Sequence, residues 1–184
     1  MRKIFVFLAL SFFLVSCSLK VKNQNNTGYT YLSPKVNLTF NKPGICVNLD
    51  GVESNKLHNN YILYEANGKY DYFAYSKWIN SPPTMLKDFI LENIVYIKLD
   101  PYAKYRLKVL LFDFEPHFNK DNNFFYFKAR AFFYNSSYEL LSSKIFDYKV
   151  EIKQKTNESM LSSASKATED FLKNLNEWLA GETK

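Results

Sequence analysis

Phe124-Phe125-Tyr126-Phe127-Lys128-Ala129-Arg130-Ala131-Phe132-Phe133-Tyr134 is the segment from which the architecture can be read. Phe125, Phe127, Ala129, Ala131 and Phe133 share one parity, while Lys128 and Arg130 take the other. Side chains of a strand alternate between its two faces, so this spacing predicts a strand with one dry face and one charged face.

The same alternation flanks it. Over Tyr105–Phe114, Leu107, Val109 and Leu111 alternate with Arg106 and Lys108. Over Ser143–Ile152, Phe146, Tyr148, Val150 and Ile152 alternate with Asp147, Lys149 and Glu151. Asn119 to Asn123 and Asn135-Ser136-Ser137 supply the turns, and the three strands read as an antiparallel meander. A sheet with one apolar face needs a cover. From about Glu158 to Leu179, Met160, Ala164, Ala167, Phe171, Leu175 and Trp178 recur at steps of three and four, the period of an amphipathic helix. Asn157 is its expected cap, and Gly181 follows its expected end. Its other face mixes Lys166, Glu169, Asp170, Lys173 and Glu177, which argues for packing on the sheet rather than lying on a membrane.

Upstream, Tyr29–Leu32 and Ile45–Leu49 are short strand candidates separated by Pro34 and Pro43-Gly44, and Asp50-Gly51 is expected to end the second. Tyr61-Ile62-Leu63-Tyr64 begins a hairpin. Asn67-Gly68 tolerates the positive φ of a tight turn, and Lys69 to Trp78 is the return strand. Ser81-Pro82-Pro83 then opens a helix over about 84–94, with Ser81 as cap and Met85, Leu86, Phe89 and Ile90 on its inner face. Val95–Leu99 is a short strand before Asp100-Pro101. The expected fold is α+β, a mixed or antiparallel β-sheet of about six strands covered by two helices, about 84–94 and 158–179, in one domain spanning 29–181.

The N-terminus has a different character. Arg2-Lys3 precedes the apolar run Ile4 to Val15, and Leu14-Val15-Ser16-Cys17 closes it. A basic start, a short apolar run and a small-residue cleavage site make a secretory signal. As a helix the run would reach about 18 Å, against roughly 30 Å of bilayer hydrocarbon. Leu-Val-Ser-Cys looks like a bacterial lipobox. Residues 1–16 are therefore expected to be removed, with Cys17 acylated (a palmitate-type modification) and 17–28, polar and Asn-rich, serving as a tether. Cys46 is then the remaining thiol, expected to be a small buried hydrophobe within Ile45-Cys46-Val47.

Composition narrows the chemistry. Net charge is +6, and loss of Arg2 and Lys3 with the signal lowers it by two, which is unremarkable beside the basic patches of nucleic-acid readers. Five glycines leave no phosphate-cradling loop, and no G-x-S-x-G, Cys-x-x-Cys or His-Glu-x-x-His pattern occurs. Asp113, Glu115 and His117 would share a strand face, a donor set that suits a metal. Pro116 interrupts their alternation, and a solvent-facing polar strand end explains them without one. His58, in an Asn-rich stretch, reads as surface. No catalytic residue, metal or cofactor is expected, and no enzyme. The chain holds 17 Phe and 14 Tyr. Either a compositional bias toward Asn, Lys, Ile, Phe and Tyr or an aromatic-lined cavity accounts for them. Tyr70, Tyr72, Tyr75 and Trp78 are the candidates for an exposed partner or lipid contact, with cross-strand packing as their alternative role.

The order of these segments resembles the ABC-type transport auxiliary lipoprotein component family, which accompanies mammalian-cell-entry (MCE) lipid-transport systems. The resemblance is carried by Tyr61-Ile62-Leu63-Tyr64, Tyr70 to Tyr75, Lys77-Trp78, Pro82-Pro83 and Met85-Leu86. It continues through Tyr105-Arg106-Leu107, Phe112-Asp113-Phe114 with Phe118, and Lys128-Ala129-Arg130-Ala131. Leu140-Leu141-Ser142, Lys144-Ile145-Phe146 and a closing helix with Ala164, Ala167, Phe171 and Trp178-Leu179 complete it. Two features depart from the family: Glu53 to Asn60 replaces a Pro-Tyr-Leu-Arg stretch, and Lys77 replaces an arginine before the tryptophan. The resemblance implies an α+β domain anchored through Cys17 and facing the periplasm. Its implied partners are an MCE-domain protein with its ABC permease and ATPase, and phospholipid; monomer and homo-oligomer are both left open. It implies a part in moving phospholipid or another hydrophobic molecule between inner and outer membranes. Ser18, where an aspartate would favour inner-membrane retention, points to the outer membrane, with the inner as alternative. An assembly lipoprotein of a lipopolysaccharide-export or Tol-like machine, and a free-standing lipid-binding module, are the competing functions.

Overall fold

A long strand with two different neighbours on one edge organises the molecule. The computed structural model describes residues 28–34, 36, 38, 45–120 and 122–183. The described elements run β1 (Gly28–Thr30), β2 (Val47–Glu53), β3 (Tyr61–Ala66), β4 (Lys69–Trp78), α1 (Pro82–Asn93), β5 (Ile97–Lys98), β6 (Tyr105–Phe118), β7 (Asn123–Asn135), β8 (Leu140–Glu151) and α2 (Asn157–Glu182). The fold is α+β, a mixed eight-stranded sheet with two helices.

The meander is as the alternation requires. β6, β7 and β8 pair antiparallel along nearly their whole lengths. Phe125, Phe127, Ala129, Ala131 and Phe133 are all fully buried. A bulge between Leu111 and Asp113 shifts the parity of β6, so Leu107, Val109 and Leu111 before it and Phe114 after it all reach the core. β6 therefore runs four residues past the expected Phe114 and carries Pro116 within it.

The other edge of β6 is divided. β2 pairs parallel to its first half, from Val47↔Tyr105 to Glu53↔Leu110. β3 pairs parallel to its last two residues, Glu65↔His117 and Ala66↔Phe118. Pro116 lies in the stretch between, which has neither neighbour on that edge and so tolerates a proline. β5 extends the sheet from β2, while β4 and then β1 extend it from β3. These parallel pairings, made through long crossovers, join all eight strand candidates in one sheet, where about six were expected.

α2 packs on β6, β7 and β8, and α1 packs on β2 and β5; the two helices touch and share one hydrophobic core. The Phe171 ring sits 4.9 Å from Phe127 and 5.1 Å from Phe146. Burying such a side chain contributes roughly 1.5–3 kcal/mol, so Phe171 is a main tie between α2 and the meander.

Four local expectations are corrected. Asp50-Gly51 does not end β2. The chain bulges between Leu49 and Gly51 and pairs on to Glu53, while Asp50 Oδ1 accepts from Arg106 Nη1 at 2.6 Å. Ser81 occupies the cap position of α1 without capping it. Pro82 and Pro83 have no N–H to offer, and its Oγ lies 2.9 Å from Thr84 Oγ1 instead. α2 is capped by Thr156 rather than Asn157, the Ser159 N–H donating to Thr156 Oγ1 at 3.2 Å. Gly181 lies inside α2; without a positive φ there the helix continues until the Thr183 N–H closes on Leu179 O.

Candidate functional site

The β3–β4 hairpin turns at Asn67 (φ 52°) and Gly68 (φ 81°), both in the left-handed region that a type I′ turn demands. Beyond it β4 parts from its partner. Leu63 pairs with Tyr72 but Tyr61 with Lys77, so Phe73 to Ser76 stand opposite Ile62 alone. β1 then pairs parallel to Ser76–Trp78. This edge of the sheet is rich in exposed tyrosine: Tyr70 is 57%, Tyr72 46% and Tyr75 66% exposed, with Tyr29, Tyr31 and Tyr61 also open. Tyr61 and Tyr72 meet edge to face at 5.8 Å, and Lys77 Nζ lies 4.2 Å from the Tyr61 ring.

Trp78 does not belong with them. It is fully buried, 5.5 Å from the Phe114 ring, and no partner can reach it without opening the core. By parity alone it would side with Tyr70 and Tyr72; the register shift between Tyr72 and Lys77 reverses the alternation of β4 and turns it inward. The expectation of an exposed contact at Trp78 is corrected to a core role.

Beside the tyrosine row lies an open groove of about 450 Å³, lined by Tyr64, Asp71, Tyr72, Phe73, Ala74, Phe118 and Lys155. It exists because α2 starts only at Asn157, leaving the ends of β6, β3 and β4 without a helix above them. Tyr64, Phe73 and Phe118 form a triangle of rings 5.1–6.3 Å apart. Its size falls in the roughly 300–1,000 Å³ range of small-molecule sites. Chemically it offers apolar contact, with Lys155 and Asp71 as the charged groups of its lining, which suits an alkyl chain.

On the opposite face of the sheet, Asp113, Glu115 and His117 do share a side, with Asp113 and His117 only partly exposed. Glu115 is fully buried. Lys56, from the segment after β2, crosses the unpaired stretch of β6 and places Nζ 2.7 Å from Glu115 Oε1 and 2.5 Å from Asp113 Oδ1. The Phe114 N–H donates to Glu115 Oε2 at 3.1 Å, and His117 Nε2 lies 3.8 Å from Oε1. Burial alone would raise the Glu115 carboxyl, but His117, Lys56 and the Phe114 N–H together hold it below its ordinary range. Burial likewise opposes the charge of Lys56, and its bonds to Asp113 and Glu115 overcome this and raise it. His117 Nδ1 is 3.0 Å from Glu65 Oε2, whose other oxygen accepts from the Gly68 N–H. The ring stacks on Phe124 at 5.0 Å. The cluster thus ties the hairpin turn and the 54–57 segment to β6. Neither Lys56 nor Glu65 had a sequence signal, because both meet β6 across more than fifty residues of chain.

Among the described residues no group of His, Cys, Asp or Glu is arranged to hold a metal ion. Cys46 is half-buried, its Sγ donating to Asp100 Oδ2 at 3.6 Å, and burial raises the thiol. His58 is exposed. Among the described residues no helix is long and apolar enough to cross a membrane. Cys17, the signal segment and the tether up to residue 27 lie outside the described residues.

Together these features define a class: an α+β domain, helix-covered on one face of its sheet, with an aromatic edge and an open apolar groove. No family model matches the chain, and no curated protein matches it. Among solved structures it is similar to protein XCC0632 from Xanthomonas campestris, a DUF330 protein, at a TM-score of 0.71. The two are 14% identical over 82% of this chain and 94% of that one. A second structure, described as an uncharacterized protein, has a TM-score of 0.63 with 12% identity over 73% of this chain and 92% of that one. Lipoprotein GNA1162 from Neisseria meningitidis has a TM-score of 0.28 with 10% identity over 71% of this chain and 99% of that one. At these identities the first two likenesses establish the fold alone, that of a DUF330 protein.

Proposed function

We propose that this chain is a non-enzymatic lipoprotein, anchored by an acylated Cys17 in the outer membrane and facing the periplasm. In this reading it is an accessory component of an ABC/MCE-type system that moves phospholipids or other hydrophobic molecules between the two membranes. Residues 1–16 are its signal and 17–27 its tether, and the working domain starts at Gly28, where β1 begins. The observation that carries the proposal is the open groove of about 450 Å³, with Tyr64, Phe73 and Phe118 in its wall. A hydrocarbon chain leaving water for such a surface gains about 25 cal/mol per Å² buried, enough for brief holding without any bond being made. The same groove also suits a free-standing lipid-binding module.

The test is affinity capture of the membrane-anchored protein, with mass spectrometry of the proteins and lipids that accompany it. An MCE-domain protein together with a permease and an ATPase is the expected result. Phospholipid alone would favour the free-standing module. Lipopolysaccharide-export or Tol-type components in their place would overturn the transport reading.

A further inference from the structure

We propose that the β1–β4 edge, with the groove beside it, is the face that this domain lays on the phospholipid membrane holding Cys17. The inference rests on the anchored reading above and adds the orientation. Three observations support it.

The first is where the chain joins the domain. Gly28 pairs with Ser76, two residues along β4 from Ala74 in the groove wall, about 7 Å at the rise of a strand. Cys17 is eleven positions before Gly28, and covalent geometry limits that span to about 40 Å. The opposite end of the sheet is marked by Tyr105 at the head of β6, nine residues from Phe114, against which Trp78 packs. That end lies about 30 Å away at the rise of a strand. Turning it to the membrane would use most of the available reach, whereas the β1–β4 edge meets the membrane with little.

The second is the kind of ring. Tyr29, Tyr31, Tyr72 and Tyr75 are exposed along this edge, while Tyr70 turns to the other face of the sheet, 6.5 Å from His117 and beneath Lys56. A phenol has an apolar body and a hydroxyl that seeks water, the combination enriched where hydrocarbon meets headgroups. The third is the surface around them. Lys77 sits over Tyr61 and Lys155 rims the groove, and a lysine near an anionic headgroup layer is worth about 1 kcal/mol. Because the anchor keeps this edge close to the bilayer, a weak interfacial affinity is sufficient to hold it there.

The full-length lipoprotein is reconstituted into phospholipid vesicles containing brominated lipid, whose bromine quenches indole fluorescence on contact. Tyr75→Trp reports from the proposed face. Tyr102→Trp, at a side chain that is 93% exposed at the far end of the sheet, is the control. The buried Trp78 and the Trp178 of α2 give a common background, read from the wild type. Quenching of the Tyr75→Trp signal severalfold above that of Tyr102→Trp is expected. Equal quenching, or more at Tyr102, overturns the orientation. An intact mass without acyl groups on Cys17 overturns the anchored reading and the orientation with it, so the two failures are distinguishable. If ultraviolet crosslinking of Tyr75→Trp in native membranes captures protein in place of lipid, the edge belongs to a protein partner and the proposal is wrong.

Discussion

The helix-covered half of the sheet and its open edge are both built from aromatic residues, but from different ones. Apart from Trp78, the fully buried rings beneath α2 are phenylalanines: Phe114, Phe125, Phe127, Phe133 and Phe171. The exposed rings on the β1–β4 edge are tyrosines, while Phe73 of β4 is half-buried in the groove wall. A compositional bias would raise both residues without sorting them. The hydroxyl is what sorts them, since a buried one must find a partner. Tyr96 shows the requirement: its Oη donates to Asn176 Oδ1 at 2.9 Å, and burial pushes its pKa up to about 12. One half of the molecule therefore excludes water, and the other keeps its phenol hydroxyls in it.

Substitutions can break this contrast, beginning where the effect is largest. Phe127→Ala removes a fully buried ring wedged against Phe114 and Phe171, and should destabilise the fold by about 3–5 kcal/mol in chemical denaturation. A loss below about 1 kcal/mol would mean that Phe127 is not packed as tightly beneath α2 as the ring contacts require.

Lys56→Met leaves Glu115 buried beside Asp113 without its cation. The expected loss is about 2–3 kcal/mol, below the figure for a fully enclosed pair because Lys56 is partly exposed. Glu115 also gives the cluster a pH signature. Its folded carboxyl lies below the ordinary value of 4.5, so its contribution is present above that value and is lost as pH falls through the depressed one. Unfolding midpoints measured downward from pH 5 should decline more steeply for the wild type than for Glu115→Gln. Parallel declines would remove Glu115 from the account.

Smaller effects sharpen the boundary between the two halves. Thr156→Ala deletes the cap of α2 at the margin of the groove, where Asn157 Nδ2 also reaches Ser76 Oγ at 3.4 Å. It should cost about 1 kcal/mol, read from the denaturation midpoint. Tyr75→Ser should change stability by no more than about 0.5 kcal/mol. A markedly larger loss would show that the edge tyrosines are structural after all.

Sequence by itself determined whatever repeats with a local period. The alternation through 124–134 and its flanks specified the meander and its dry face. The three-and-four spacing from Met160 to Trp178 specified the covering helix, and Asn67-Gly68 specified the hairpin, because each depends on neighbours within a few residues. It also set apart Tyr70, Tyr72 and Tyr75 as a row. Tertiary structure alone decided the rest. It turned Trp78 inward while its neighbours stayed out, carried β6 through Pro116, and divided one edge of β6 between β2 and β3. It placed Lys56 and Glu65 against Glu115 and His117, and left the groove where α2 stops short. Each of these joins residues far apart in the chain, and the free energy that selects such a pairing comes from burial and charge compensation in the assembled fold, not from any local preference.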